Sequence, residues 1–319
     1  MTNNLNHPWF NVKSPLHQFF ASLLVVLITG TLLFSLFFLT GKLIFNTDLR
    51  VLENPSPQAG WDEIAFIKYI LIAQDISYFI IPGVILLIKL NPGYKGGIMD
   101  IKILRINDVI LVVILTLCAF PVTSLAGQLN SGMVLPDRLS GIEQWMRDKE
   151  EYANHLLDLI MTPETYTGML LNLLIIAAIP AIGEELIFRG IFQKILHNLL
   201  RSGHLSVWIT SFLFSAMHFQ FYGFLPRFIL GMIFGYLFLW SRSLWLPILS
   251  HFINNAVPTI GAYIKGWGKI NEPGDAGLVN QIAGLIVPLI IIVFILNWFR
   301  MRPVRYLPSD DGKHQMTEI

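Results

Sequence analysis

Long apolar stretches separated by short polar connections run through the whole chain. With about 20 residues taken as the length that crosses a bilayer, eight such stretches stand out: 19–45, 64–90, 109–126, 168–192, 206–224, 228–240, 245–264 and 278–299. The pattern predicts an all-α fold, a polytopic transmembrane helix bundle of about eight spans. The sixth stretch is short and gains length if it starts at Leu225. The fourth is expected to continue past Arg189 towards Leu200, because Gln193, Lys194, His197 and Asn198 form an amphipathic extension. Pro180 allows a kink in it, since proline withholds a backbone donor and crowds the preceding turn. The segment 139–157 is too polar to span. Ile142, Trp145, Met146, Tyr152 and Leu156 can line one side of a helix there, which predicts an amphipathic helix at the outer interface. A surface helix capping the bundle is the preferred reading of it over a substrate-gating lid.

Composition agrees. The chain of 319 residues is 54% hydrophobic and 13% charged, with a mean hydropathy of +0.60, whereas soluble domains carry roughly 25% charge. A net charge of +1 gives no footprint for nucleic acid, so the expected partner surface is the lipid bilayer. The lone cysteine, Cys118, sits in an apolar run and leaves the redox compartment open. The first residues lack a compact basic region and a small-residue cleavage site, so the first stretch is expected to stay as an anchor. Lysine and arginine set the orientation. With the N-terminus inside, thirteen of them face the cytoplasm and nine face out, which predicts an N-in, C-in topology. Three portions are expected: 1–163, the N-terminal helices with the outer amphipathic helix; 164–264, the core that carries the chemistry; and 265–319, a last span and a disordered tail from 303.

Two adjacent glutamates, Glu184 and Glu185, end an apolar run from 168 to 183 in which Asn172 is the one strongly polar residue. A carboxylate at membrane depth costs at least about 2.5–3.5 kcal/mol on insertion scales, so it is seldom kept without a partner or a task. Glu185 and Arg189 are i and i+4 on a helix and can pair. Glu184 is turned about 100° away and can face another neighbour. Freed from a close cation, it can act as a proton acceptor. An ion-paired cluster that merely ends the span would explain one Glu–Arg pair but not a second glutamate. Later stretches repeat the spacing, with Phe214 and His218, then His251 and Asn255, at i and i+4. Measured from the cytoplasmic ends, Glu184, His218 and His251 fall roughly 12–21 Å deep at 1.5 Å per residue, so one shared cavity can hold them. Sharing lets the members satisfy one another's hydrogen bonds. Hydrolysis suits the set: a carboxylate to take a proton from water, a histidine to orient it, a His/Asn pair for an oxyanion. A divalent metal such as zinc on Glu184, His218 and His251 is the alternative. No H-E-x-x-H or G-x-S-x-G occurs.

The ordered set Glu184-Glu185-x-x-x-Arg189, Phe214-x-x-x-His218 and His251-x-x-x-Asn255 resembles the three motifs of the CAAX protease and bacteriocin-processing (CPBP, or Abi) family. These are polytopic intramembrane endopeptidases that include the type II CAAX prenyl endopeptidase. The resemblance covers about residues 165–260. It implies Glu184 as the base that activates water, His218 as the residue that holds or polarises it, His251 and Asn255 as oxyanion donors, and Glu185 and Arg189 as orienting residues. The family is described both as metal-dependent and as metal-free; an asparagine in the fourth role favours the metal-free route, and no cofactor is assigned.

The expected function is an intramembrane endopeptidase acting on a membrane-associated protein or a peptide precursor, in a bacterial cytoplasmic membrane. A non-proteolytic scaffold or immunity regulator and a small-solute transporter are the competing classes, the latter disfavoured by the lack of an internal repeat. Asp75 is read as structural, by pairing with Lys68, rather than as a cavity residue. Gly231-x-x-x-Gly235 reads as a helix-packing signal, and Arg227 as a snorkelling anchor.

Overall fold

The computed structural model describes residues 14–47, 50–53, 59–90, 104–161, 165–265 and 278–302, so the expected tail from 303 lies outside the described residues. Every regular element among the described residues is helical. In chain order these are α1 (Pro15–Phe45), the single turn α2 (Arg50–Glu53), α3 (Trp61–Leu90), α4 (Ile106–Ser131), α5 (Ser140–Ile160), α6 (Tyr166–Leu200), α7 (Gly203–Ala216), α8 (Phe224–Ser241), α9 (Trp245–Lys265) and α10 (Leu278–Met301).

Six of them, α1, α3, α4, α6, α8 and the Asn280–Met301 part of α10, are long and apolar enough to cross a membrane. Their apolar side chains face outwards in rows, as in Leu32, Leu36 and Leu39 of α1 or Ile290, Val293 and Phe294 of α10. Water would not tolerate so broad an apolar surface; lipid does. The protein is an integral membrane helix bundle. The remaining two of the eight expected spans differ for physical reasons. α7 has 14 residues, about 21 Å of helix, because the chain turns back at 217–223. α9 has the length but carries Ser250, His251, Asn254 and Asn255. These two pack among the apolar helices, and α9 adds Ser250 and His251 to the polar groups buried inside.

Small residues set the close approaches. A Cβ on Gly231 would lie 3.0 Å from Ser211 Cβ and one on Gly235 2.9 Å from Val207 Cγ1, so the glycine pair is where α8 meets α7, as expected of a small-xxx-small face. Gly183 does the same between α6 and α3, where a Cβ would lie 2.8 Å from Phe79 Cβ. Thr116 of α4 and Ser250 of α9 share a hydrogen bond of 2.7 Å in the interior. The expected amphipathic helix forms as α5. It rests on α2 through Tyr152, which donates to the Leu52 carbonyl, and on the 217–223 turn through Trp145, whose ring packs on Phe221.

α6 is the expected long helix through Leu200, and its winding is uneven. Wider π turns occupy Leu173–Ala178 and Leu186–Gln193, on either side of the Ile179–Glu185 turn that carries both glutamates. Such bulges recur at functional sites. The first lies just before Pro180, which has no N–H to offer the carbonyl four residues back, Ile176.

Candidate active site

Glu185 and Arg189 are fully buried. Arg189 Nη1 donates to Glu185 Oε1 at 2.7 Å, and its Nη2 donates to the Gly231 carbonyl at 3.0 Å. The guanidinium also lies 4.7 Å from the Phe214 ring centre and 5.4 Å from that of Phe234, contacts that reward a desolvated cation. The same Glu185 Oε1 accepts from His251 Nδ1 at 3.0 Å. Phe234 stacks on the His251 ring at 5.0 Å and Phe214 meets it edge-on at 5.8 Å. One carboxylate oxygen therefore ties α6 to α9, while its arginine ties α6 to α8. A buried charge pair is tolerable only with such further hydrogen bonds.

Glu184 is different. It is 8% exposed, and its Oε2 is a buried acceptor with no hydrogen-bond donor among the described residues. His251 Nε2 lies 4.0 Å from that oxygen, beyond a hydrogen bond and within reach of one water bonded to both. His251 thus faces both glutamates, one through each ring nitrogen.

Asn255, one turn further along α9, donates from Nδ2 to the Ile176 carbonyl at 3.0 Å. That carbonyl is the one Pro180 cannot serve, so the proline on α6 and the asparagine on α9 form one local device. The amide has a second N–H. His218 lies just past the end of α7 rather than within a span. Its Nδ1 is 2.8 Å from the Phe214 carbonyl; a carbonyl only accepts, so Nδ1 carries the proton and Nε2 presents a lone pair. His218 has Glu184, Arg227 and His251 as electrostatic neighbours and makes no direct bond to them. The structure therefore brings Glu184, Glu185, Arg189 and His251 together closely, with Asn255 and His218 at the rim.

Among the described residues, no three His, Cys, Asp or Glu side chains converge as a metal ion would require. His251 Nδ1 is engaged by Glu185 and His218 Nδ1 by a carbonyl, bonds that leave each Nε2 as the available ring nitrogen, as in zinc-ligating histidines; what Glu184, His218 and His251 lack is convergence on one point.

Three residues differ from the sequence expectation or escape it. Asp75 forms no pair with Lys68; its charged neighbour is Glu184. Arg227 does not snorkel but donates to the carbonyl and the side-chain oxygen of Gln220, in the turn that carries His218. Phe234, which stacks on His251, lies between the two glycines of the packing signal; an aromatic there was the available hint.

Residues 166–257 match the family described as type II CAAX prenyl endopeptidase Rce1-like. That segment is similar to the Rce1-like family. It holds every expected site residue, from Glu184 to Asn255, and little of the surrounding bundle. A Bacillus subtilis (strain 168) protein, described as uncharacterized protein YpbD, is similar to this chain: 28% identical over 90 residues, 27% of this chain and 43% of that protein. The chain thus spans less than half the length of the curated relative it matches. No solved structure matches.

Proposed function

We propose that the protein is an intramembrane endopeptidase that hydrolyses a peptide bond in a membrane-associated protein or a peptide precursor, with residues 164–264 as the catalytic portion. The observation that carries this reading is the buried, unpartnered Glu184 Oε2 at 4.0 Å from His251 Nε2. A water held by Glu184 gives up a proton to it while attacking the scissile carbonyl. The carbonyl oxygen becomes an oxyanion, which the second N–H of Asn255 and a His251 that also carries a proton on Nε2 can stabilise. Glu185, itself fixed by Arg189, holds the His251 ring in place. His218 Nε2 accepts from the same water. The proton on Glu184 then passes to the leaving amine. No step runs through a metal. An orientation with both ends of the chain inside goes with this proposal on the distribution of basic residues. A bacterial cytoplasmic membrane goes with it on an apolar first stretch read as an anchor and the lack of organelle signals.

The test compares polypeptide termini in membranes holding equal amounts of wild type or Glu184→Gln, which keeps the size and removes the base. New termini in wild type alone are expected. Identical termini in both, or cleavage that persists in Glu184→Gln and in His251→Ala, would remove the catalytic reading and favour a scaffold.

A further inference from the structure

His218 lies past the end of α7, in the turn that leads to α8, so helix backbone alone does not fix it. Part of the hold on that turn comes from α4, outside residues 166–257, the portion that matches the Rce1-like family. Asn130, near the end of α4, is 6% exposed. Its Nδ2 donates to the Phe221 carbonyl at 3.0 Å, and its Oδ1 accepts from the Leu225 N–H at 2.7 Å. A carbonyl only accepts and an N–H only donates, so both contacts demand the same orientation of the amide.

The second contact has a local cause. α8 starts at Phe224 behind an N-cap glycine, Gly223, which has no side chain to offer the first N–H groups of the helix. Those groups ordinarily find a side-chain oxygen of the N-cap residue, at the second or third helical position. A side chain at 223 would overlap the Arg227 guanidinium, which is bonded to Gln220 in the same turn. Asn130 therefore caps the second residue of α8 from another helix. Through Phe221 the same amide grips the turn three residues after His218. Glu150 of α5 adds a longer bond, accepting from the Tyr222 N–H at 3.2 Å. Phe219 has a φ of 52°, a conformation that is uncommon for residues with a side chain and that persists where surrounding contacts enforce it. We propose that Asn130 is a positioning residue: by bonding both Phe221 and Leu225 it fixes the turn that presents His218 Nε2 to the water on Glu184. Its effect on rate rests on the endopeptidase reading; the cap on α8 does not.

The experiment uses the full chain in lipid nanodiscs, with a peptide spanning a junction found by the termini comparison. Asn130→Ala is expected to lower kcat about tenfold with KM within about twofold, the pattern of a group that acts on the reacting state rather than on binding. Amide exchange over 221–226 is expected to rise about tenfold, because the Leu225 N–H loses its acceptor. Asp108→Asn is the control for stability alone. It weakens the 2.6 Å bond to Arg302 at the other end of α4, and should lower Tm while leaving kcat within about twofold. Should Asn130→Ala not fold, Asn130→Asp keeps the size and the acceptor for Leu225 but removes the donor to Phe221, and the same fall in kcat is expected of it. An unchanged kcat, an equal fall in Asp108→Asn, or unchanged exchange in Asn130→Ala would overturn the proposal. If Glu184→Gln still cleaves, the endopeptidase reading fails, while the exchange measurement still decides whether Asn130 holds the turn.

Discussion

Glu184 and Glu185 are consecutive residues in one turn of helix, yet they occupy opposite kinds of environment. Around Glu185 a buried carboxylate oxygen serves Arg189 and His251 at once, and the arginine is further tied to a backbone carbonyl and two aromatic rings. Around Glu184 there is a bare oxygen, a histidine nitrogen beyond bonding distance, and a second acid. The first environment fixes geometry, because Glu185 Oε1 is held by two other side chains at once, even though Glu185 Oε2 and Arg189 Nε have no partner among the described residues. The second is costly to fold and open to a reactant. The comparison teaches that neither burial nor one unpartnered oxygen marks the reactive carboxylate, since Glu185 Oε2 is also unpartnered; a carboxylate with neither oxygen bonded does.

The strongest way to break this contrast is Arg189→Ala. It leaves Glu185 buried without its cation, which costs about 3–5 kcal/mol. Thermal unfolding should show a collapse in stability, whereas Glu184→Gln should melt at or above wild type. If both variants melt alike, the division between a structural and a reactive glutamate is wrong. A smaller effect is expected from Gly183→Ala. Its methyl would stand 2.8 Å from Phe79 Cβ and push α3 from α6, a mismatch worth about 1–3 kcal/mol. Thermal unfolding should show a lower Tm than wild type, and an unchanged Tm would mean that the close contact at Gly183 does not set how α3 and α6 approach.

The smallest effect lies far from either glutamate, on α5. Arg147 donates to Glu143 at 2.6 Å, and the Leu135 N–H donates to it at 2.9 Å. The hydrogen bond from Arg147, followed by that from Leu135, holds the Glu143 carboxyl below the usual carboxylate range. A lowered value in the folded state stabilises above the unfolded value of about 4.3 and is lost as pH falls through the folded one. Glu143→Gln should therefore change amide exchange at the start of α5 only slightly at neutral pH, and the difference from wild type should vanish in acid. A large change at neutral pH would show that exposed pairs matter here as much as the buried one, contrary to the general weakness of surface ion pairs.

Much of the site was legible before any coordinates. Helical spacing alone pairs Glu185 with Arg189, and the structure makes that pair. The same spacing groups Phe214 with His218, and the histidine does bond the Phe214 carbonyl. The carbonyl freed by Pro180 could be named from sequence, but not its acceptance of Asn255 from another helix. The length of α7 was overestimated because the apolar run continues through Phe219, Phe221 and Phe224, while the chain turns at residues that hydropathy does not distinguish from helix. Asp75 and Arg227 were read as local features, by pairing along their own helix and by snorkelling. Their real neighbours lie across helix contacts.

The sequence by itself determined the class of fold and the cast of polar residues, because hydropathy and helical periodicity act over a few turns of one chain segment. Only the tertiary structure decided that Glu185 is shared by His251 and Arg189, that Glu184 is left without a hydrogen-bond donor, and that Asp75 lies within electrostatic reach of it. Those outcomes depend on which helices touch and at what register. Here glycines at 183, 231 and 235 set how closely the backbones approach, and side chains far apart along the chain meet only once that packing is in place.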